Sequence, residues 1–232
     1  MNFRTGVILP INKPYAMSSF GALAHIRYLL TKRMGYKVKV GHAGTLDPLA
    51  TGVLILCTGK KTKEKETLQA HDKEYVATLQ LGASTASHDM EHPVDLVTVT
   101  DGITRERVEQ VLKDFTGDIE QVPPAYSAVC VNGKRAYQLS RKGKEFEINA
   151  KTVHIDDIEL LHFDPELMQM SIRVKCGKGT YIRSLARDIG ESLDSTAYLT
   201  SLCRTRSGNT RMEDCITLED FPAWLEKQDI EG

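Results

Sequence analysis

Residues 41–63, GHAGTLDPLATGVLILCTGKKTK, run from an irregular loop bounded by glycine and proline into a short apolar strand, and the loop carries one carboxylate, Asp47. Gly41, Gly44 and Gly52 permit backbone angles or close approaches that a side chain would forbid, and Pro48 fixes φ just after the acid. The loop is therefore expected to be shaped, not floppy. Residues 53–57 form an unbroken apolar run of strand length, which reads as a buried strand anchoring the loop to the core. A lone acid on rigid support suits catalysis. An Asp before Pro in a Gly-rich loop also suits a turn whose carboxylate bonds its own backbone.

The whole chain has 232 residues, 41% of them hydrophobic, enough to bury one large domain. Its longest apolar run is 53–57, far below the roughly 18 residues a membrane span needs, and the N-terminus shows no signal-peptide core. No membrane is expected, and the cytoplasm is the expected compartment. The cysteines, Cys57, Cys130, Cys176, Cys203 and Cys215, are odd in number and lack C-x-x-C spacing. Neither a disulfide framework nor a zinc knuckle is indicated, and reduced core residues are expected.

Net charge is only −1, yet its distribution is uneven. Residues 1–75 hold 12 Lys/Arg against 5 Asp/Glu, residues 76–130 hold 3 against 9, residues 131–211 hold 14 against 10, and residues 212–232 hold 1 against 7. A positive face is what a phosphate backbone requires, since each neutralised phosphate releases counterions. Solvated charged faces account for the same counts, because clustering in sequence is not clustering in space.

Periodicity places several elements. Ser18 or Ser19 is expected to cap a helix whose Phe20, Leu23, Ile26 and Leu30 face inward with Arg27 snorkelling. Residues 75–82, YVATLQLG, alternate, with Tyr75, Ala77, Leu79 and Leu81 on one face, and so do residues 168–176. Residues 104–115 form an amphipathic helix capped by Thr104, Asn132-Gly133 marks a turn, and Thr180 is expected to cap a helix with Ile182, Leu185, Ala186, Ile189 and Leu193 inward. Arg183 stands in that helix's first turn, against the dipole, where an anionic partner such as Asp47 would compensate it. His88 and His92 mimic a metal-ligand spacing, but Pro93 follows at once, so a surface loop is expected.

The string HAGTLDPLATGVL followed by GKKTK closely resembles the signature of the TruB family of tRNA pseudouridine synthases. Further matching strings follow in the family's order: NKPYAMSS (12–19), KEYVATLQLG (73–82), PPAYSAVCVNGKRAY (123–137), KGTYIR (178–183) and YLTSLCRTRSG (198–208). Residues 84–94, STASHDMEHPV, depart from the pattern: Thr85 and Asp89 are kept, while Ala86, Ser87 and His92 replace Asp, Thr and Gly. The resemblance spans about residues 7–220.

It implies an α+β (mixed α/β) pseudouridine synthase fold, a bent, mainly antiparallel central sheet decorated by helices and loops, with the active-site cleft in the middle. It implies isomerisation of uridine 55 in the tRNA T loop by base flipping, with no metal and no cofactor. Asp47 would be the catalytic aspartate, paired with Arg183, and Tyr75 would stack on the uracil as a candidate for handling the C5 proton. Leu202 would wall the pocket, His42 fill the vacated base position and Tyr181 add a hydrogen bond. Lys63, Arg204 and Arg206 would meet phosphate; Lys13 is either a support or RNA contact near the site, or an exposed loop lysine. The expected partner is the T stem-loop of tRNA, with no obligate protein partner and a monomeric chain. A single catalytic domain over 1–232 is expected, without the RNA-binding PUA domain that many family members carry. Two rivals stand beside this reading, a noncatalytic tRNA-folding chaperone and an Asp-nucleophile hydrolase unrelated to RNA.

Overall fold

The computed structural model describes residues 1–230. Along the chain the elements are β1 (Ile8–Lys13), α1 (Ser19–Met34), β2 (Val40–Ala43), β3 (Thr51–Thr58), a 3-10 turn (Gly59–Glu64), α2 (Lys65–Ala70), β4 (Lys73–Leu81), β5 (Ala83–Thr85) and β6 (Val94–Val97). They continue with α3 (Arg105–Asp114), β7 (Gly117–Gln121), β8 (Cys130–Val131), β9 (Lys134–Arg135), α4 (Ala136–Ser140), β10 (Lys151–Asp164) and β11 (Gln169–Cys176). The last are α5 (Ile182–Ser192), β12 (Ala197–Ser207), β13 (Thr210–Arg211), β14 (Ile216–Thr217) and α6 (Phe221–Glu226). Two compact units divide them, residues 1–75 together with the chain from Leu202 onward, and residues 76–201. β4 and β12 each contribute residues to both.

In the first unit the strand order is β14-β1-β3-β12. β3 is antiparallel to β1 along one edge; its other edge is shared by β12, parallel at Thr51 and Gly52, and β2, antiparallel from Ile55 to Thr58. The expected apolar strand is thus central, and seven of its eight residues are buried. Gly52 is required where β12 crosses close: φ is +98° and an added Cβ would lie 2.2 Å from the Arg204 carbonyl oxygen. Ala43, Val53, Ile55 and Cys57 make a core against which Ile8, Leu68 and Cys215 pack. Ser18 caps α1, its hydroxyl accepting from the Gly21 N–H at 3.0 Å, and Ala22, Leu23, Ile26 and Leu30 are buried. Phe20 departs from the expected inward face. It is 63% exposed, and the Arg27 guanidinium lies over its ring, so the pair screens itself at the surface.

In the second unit β11 and β10 and then β10 and β7 pair antiparallel, with β4 beside β11. Thr78 faces Ser171 at 3.0 Å and Leu81 donates to the Met168 carbonyl, so β4 and β11 also run in opposite senses. Ala77, Leu79, Met170, Ile172, Val174 and Cys176 are buried on the alternating faces the sequence marks. Thr104 caps α3 by accepting from the Arg107 N–H, and Val108 and Leu112 are buried beneath it. Asn132 and Gly133, both at positive φ, turn β8 into β9. Thr180 does not cap α5. Tyr181 occupies that position but its side chain makes no cap bond to the helix, and Thr180 Oγ1 donates instead to the Gly177 carbonyl. Of the cysteines, Cys57 and Cys176 are buried, Cys203 and Cys215 half-buried and Cys130 exposed, and none is joined in a disulfide.

Candidate active site

The Asp47 loop is tied down on both flanks. Ser19, first residue of α1, donates its hydroxyl to the Leu46 carbonyl at 2.9 Å and accepts from the Leu46 N–H at 2.8 Å. On the other flank Lys13, fully buried at the end of β1, donates to the carbonyls of Pro14 (2.8 Å), Met17 (2.5 Å) and Pro48 (3.2 Å). The Ala50 N–H closes the turn onto the Asp47 carbonyl at 3.1 Å. Leu46 and Ala50 are buried on either side while Asp47 itself is half-exposed, so the backbone around the acid is fixed. Lys13 is therefore no exposed loop lysine. Burial lowers its pKa to about 8, with Asp47 pulling it back up and Arg204 pushing it further down.

Arg204 departs from the phosphate-contacting role expected of it. It is 1% exposed, Nε donating to the Val53 carbonyl at 2.7 Å and Nη2 to the Gly44 carbonyl at 3.2 Å. A guanidinium buried on two carbonyls is a strut between the loop and β3, out of reach of an external anion. Arg206 is half-buried, and one of its Nη atoms donates to the Gly208 carbonyl at 2.8 Å. Lys63 is exposed on the 3-10 turn. His42 sits on β2, with Nδ1 buried and unbonded among the described residues; burial, then Lys65 and Arg204, lower its pKa. Tyr75, 8% exposed, and half-buried Leu202 stand on β4 and β12, strands joined in this unit by the Thr205 hydroxyl donating to the Glu74 carbonyl.

The second unit builds a seat for Arg183. Its Nη1 donates to the Ser87 carbonyl at 3.0 Å, Nη2 donates to the Tyr126 carbonyl at 2.9 Å, and Nε lies 3.7 Å from Asp89 Oδ2. Asp89 thus supplies, within this unit, a negative charge for a cation in the first turn of α5. The segment holding Asp89 is not the surface loop expected. Thr85, Ser87 and Asp89 are buried, the Thr85 hydroxyl donates to the Asp89 carbonyl at 2.6 Å, and Ser87 Oγ donates to Asp89 Oδ1 at 2.6 Å. These bonds need a hydroxyl at position 87, and Ser87 supplies it where the family pattern has Thr. His88 and His92 have buried, unbonded Nδ1 atoms, His92 packs on the Tyr126 ring at 4.4 Å, and no metal-holding group of three or more His, Cys, Asp or Glu occurs among the described residues. Tyr181 is held by Gln121, whose amide accepts from the Tyr181 N–H at 2.8 Å and donates to its carbonyl at 3.1 Å. Asp89, Ser87 and Gln121 were not among the expected site residues; retention of Asp89 in a divergent string was the one available signal.

Comparison with known proteins accords with these arrangements. The family description "TruB family pseudouridylate synthase (N terminal domain)" matches residues 31–182, and "tRNA pseudouridylate synthase B C-terminal domain" matches residues 183–231. The chain is 58% identical over its full length to tRNA pseudouridine synthase B of Bacteroides thetaiotaomicron and 56% identical to that of Phocaeicola vulgatus, covering 98% of each. Among solved structures, a chain of a Cbf5-Nop10-Gar1 complex superposes with a TM-score of 0.72 at 31% identity, over 96% of this chain and 55% of that one. A chain of an H/ACA RNP bound to a substrate RNA containing 2'-deoxyuridine gives a TM-score of 0.69 at 28% identity, over 96% of this chain and 54% of its own length. The chain belongs to the TruB family of pseudouridine synthases, the isomerases that convert uridine to pseudouridine.

Proposed function

We propose that this chain isomerises uridine 55 in the T loop of tRNA, with Asp47 as the catalytic carboxylate and no cofactor. The observation that carries the reading is the pinned loop itself: Ser19 and Lys13 fix the backbone on both sides of half-exposed Asp47. The reaction breaks the bond from C1' to N1, turns the uracil, joins C5 to C1', removes the C5 proton and returns a proton to N1, so no atom is gained or lost. An ionised carboxylate serves it by attacking C6 of the base or by assisting departure at C1'. Arg183, aimed by Ser87, Tyr126 and Asp89, is the charge partner that orients Asp47. Tyr75 stacks on the base and handles the C5 proton, Leu202 walls the pocket and Tyr181 adds a hydrogen bond. Because the base is stacked in the folded loop, it must be everted at a cost of a few kcal/mol, and the His42 ring fills its place. Lys63 and Arg206 meet the phosphates. One chain suffices, working in the cytoplasm.

The test is purified protein with a T-arm transcript. Wild type is expected to form pseudouridine, and Asp47→Asn to form none while still binding the RNA. Full turnover by Asp47→Asn would remove Asp47 from the chemistry, and RNA refolding without pseudouridine by the wild type would favour a chaperone.

A further inference from the structure

We propose that Arg4, Lys37, Lys39 and Lys60 form a second phosphate-binding surface, which holds the stem below the T loop. The inference rests on the tRNA reading above and extends it to a part of the chain given no role there.

Three segments far apart in sequence meet at this surface. The Lys60 N–H donates to the Arg4 carbonyl at 3.2 Å, and the Gly59 N–H donates to the Lys39 carbonyl at 2.9 Å. The Arg4 guanidinium lies 4.1 Å from the centre of the Tyr36 ring. Stacking fixes the plane of the guanidinium and leaves its N–H edge able to donate to an oxyanion. Lys37 and Lys39 flank Val38, which is 2% exposed, while both lysines are exposed.

All four cations are exposed, and none forms an ion pair among the described residues. Elsewhere several surface cations have acidic partners: Arg105 with Glu109, Arg107 with Asp194, Lys175 with Asp157 and Arg187 with Asp188. An uncompensated cluster repels itself and gains most from a ligand of regularly spaced negative charge. Its position identifies that ligand. Lys39 leads directly into β2, which carries His42 and delivers the chain to the Asp47 loop, and the side chain of Lys65 lies across Gly41 on the way. The four residues of β2 span about 13 Å. The cluster therefore faces phosphates several nucleotides from the everted base, where the loop has given way to duplex. Duplex presents the densest charge available, about one phosphate per 1.7 Å of axis for B-form geometry.

The experiment measures RNA affinity against salt for the combined variant Lys37→Ala, Lys39→Ala, Lys60→Ala, with Lys113→Ala on α3 as control. On a T arm with its full stem, the slope of log affinity against log salt should become shallower by roughly 0.9 for each phosphate no longer neutralised, and affinity near physiological salt should fall tenfold or more. On the loop strand without a stem, variant and wild type should bind alike. An unchanged slope on the stemmed RNA would overturn the proposal, as would an equal loss on the stemless loop. Each single variant should shift the slope by about one third as much, so the singles decide if the triple fails to fold. Should the wild type show the stem-dependent slope but make no pseudouridine, the isomerase reading falls and the surface stands; should it make pseudouridine with the slope unaltered in the variant, only the surface falls.

Discussion

Arg183 and Asp89 face each other across 3.7 Å with side chains only 5% and 8% exposed. Asp89 is itself held by the Ser87 hydroxyl and the Glu91 N–H, both on Oδ1, which leaves Oδ2 for the arginine. Asp89→Asn keeps the shape and removes the charge. It is expected to cut kcat at least tenfold with little change in RNA affinity, and to lower stability by about 3 kcal/mol, as when one member of a buried pair is neutralised. Partial rescue of kcat by Asp89→Glu would separate positioning of Arg183 from a packing defect; Arg183→Lys should not be rescued by any change at 89, since one ammonium cannot reproduce a planar guanidinium fork.

Arg204→Lys tests the strut. The lysine cannot reach the Val53 and Gly44 carbonyls together, and hydrogen bonds to a buried charge contribute about 1.5–3 kcal/mol each. Thermal melting should show a loss of that order for one bond. The salt dependence of RNA binding should keep its wild-type slope; a shallower slope would restore Arg204 as a phosphate contact.

Lys13 links the loop to pH. Its folded pKa is lowered by burial to about 8, against 10.5 as the ordinary value. Between those values the unfolded chain holds a proton that the folded chain has lost, so this group's contribution to stability rises with pH across that window. Activity should move the other way: above about pH 8 the neutral amine loses a donor and the charge beside Asp47. The kcat profile should fall on that limb in wild type and run low but level in Lys13→Gln.

His88 governs the acid side. Burial, reinforced by Arg187 and Arg183, depresses its pKa from 6.5 to about 4. As pH drops through that range the unfolded chain takes up the proton first, so stability falls with pH. His88 has φ of 57°, a conformation asparagine tolerates, and His88→Asn should lose less stability than wild type over the same interval in urea unfolding.

Much of this was legible in the sequence because local rules and burial agree. β3 was plain as an apolar run, the alternation along β4 and β11 marked their buried faces, and α3 declared its cap and its stripe. Phe20 misled because helical spacing alone does not reveal that Arg27 offers its ring a partner at the surface. Arg204 misled for a different reason, and the same reason left Lys13 undecided between a support near the site and an exposed lysine. A cation in a basic stretch reads as a surface group, and only the fold shows that carbonyls of Gly44, Val53, Met17 and Pro48 converge on them. Asp89 was hidden because its role depends on Ser87 and on an arginine far along the chain, a relation with no trace in spacing.

The two bonds between Ser19 and Leu46 make the first residue of α1 and the residue before Asp47 a single mechanical piece. The amide proton of Leu46 should accordingly exchange with deuterium only when the start of that helix frays open. Its protection should match the early turns of α1, not that of the neighbouring exposed Thr45.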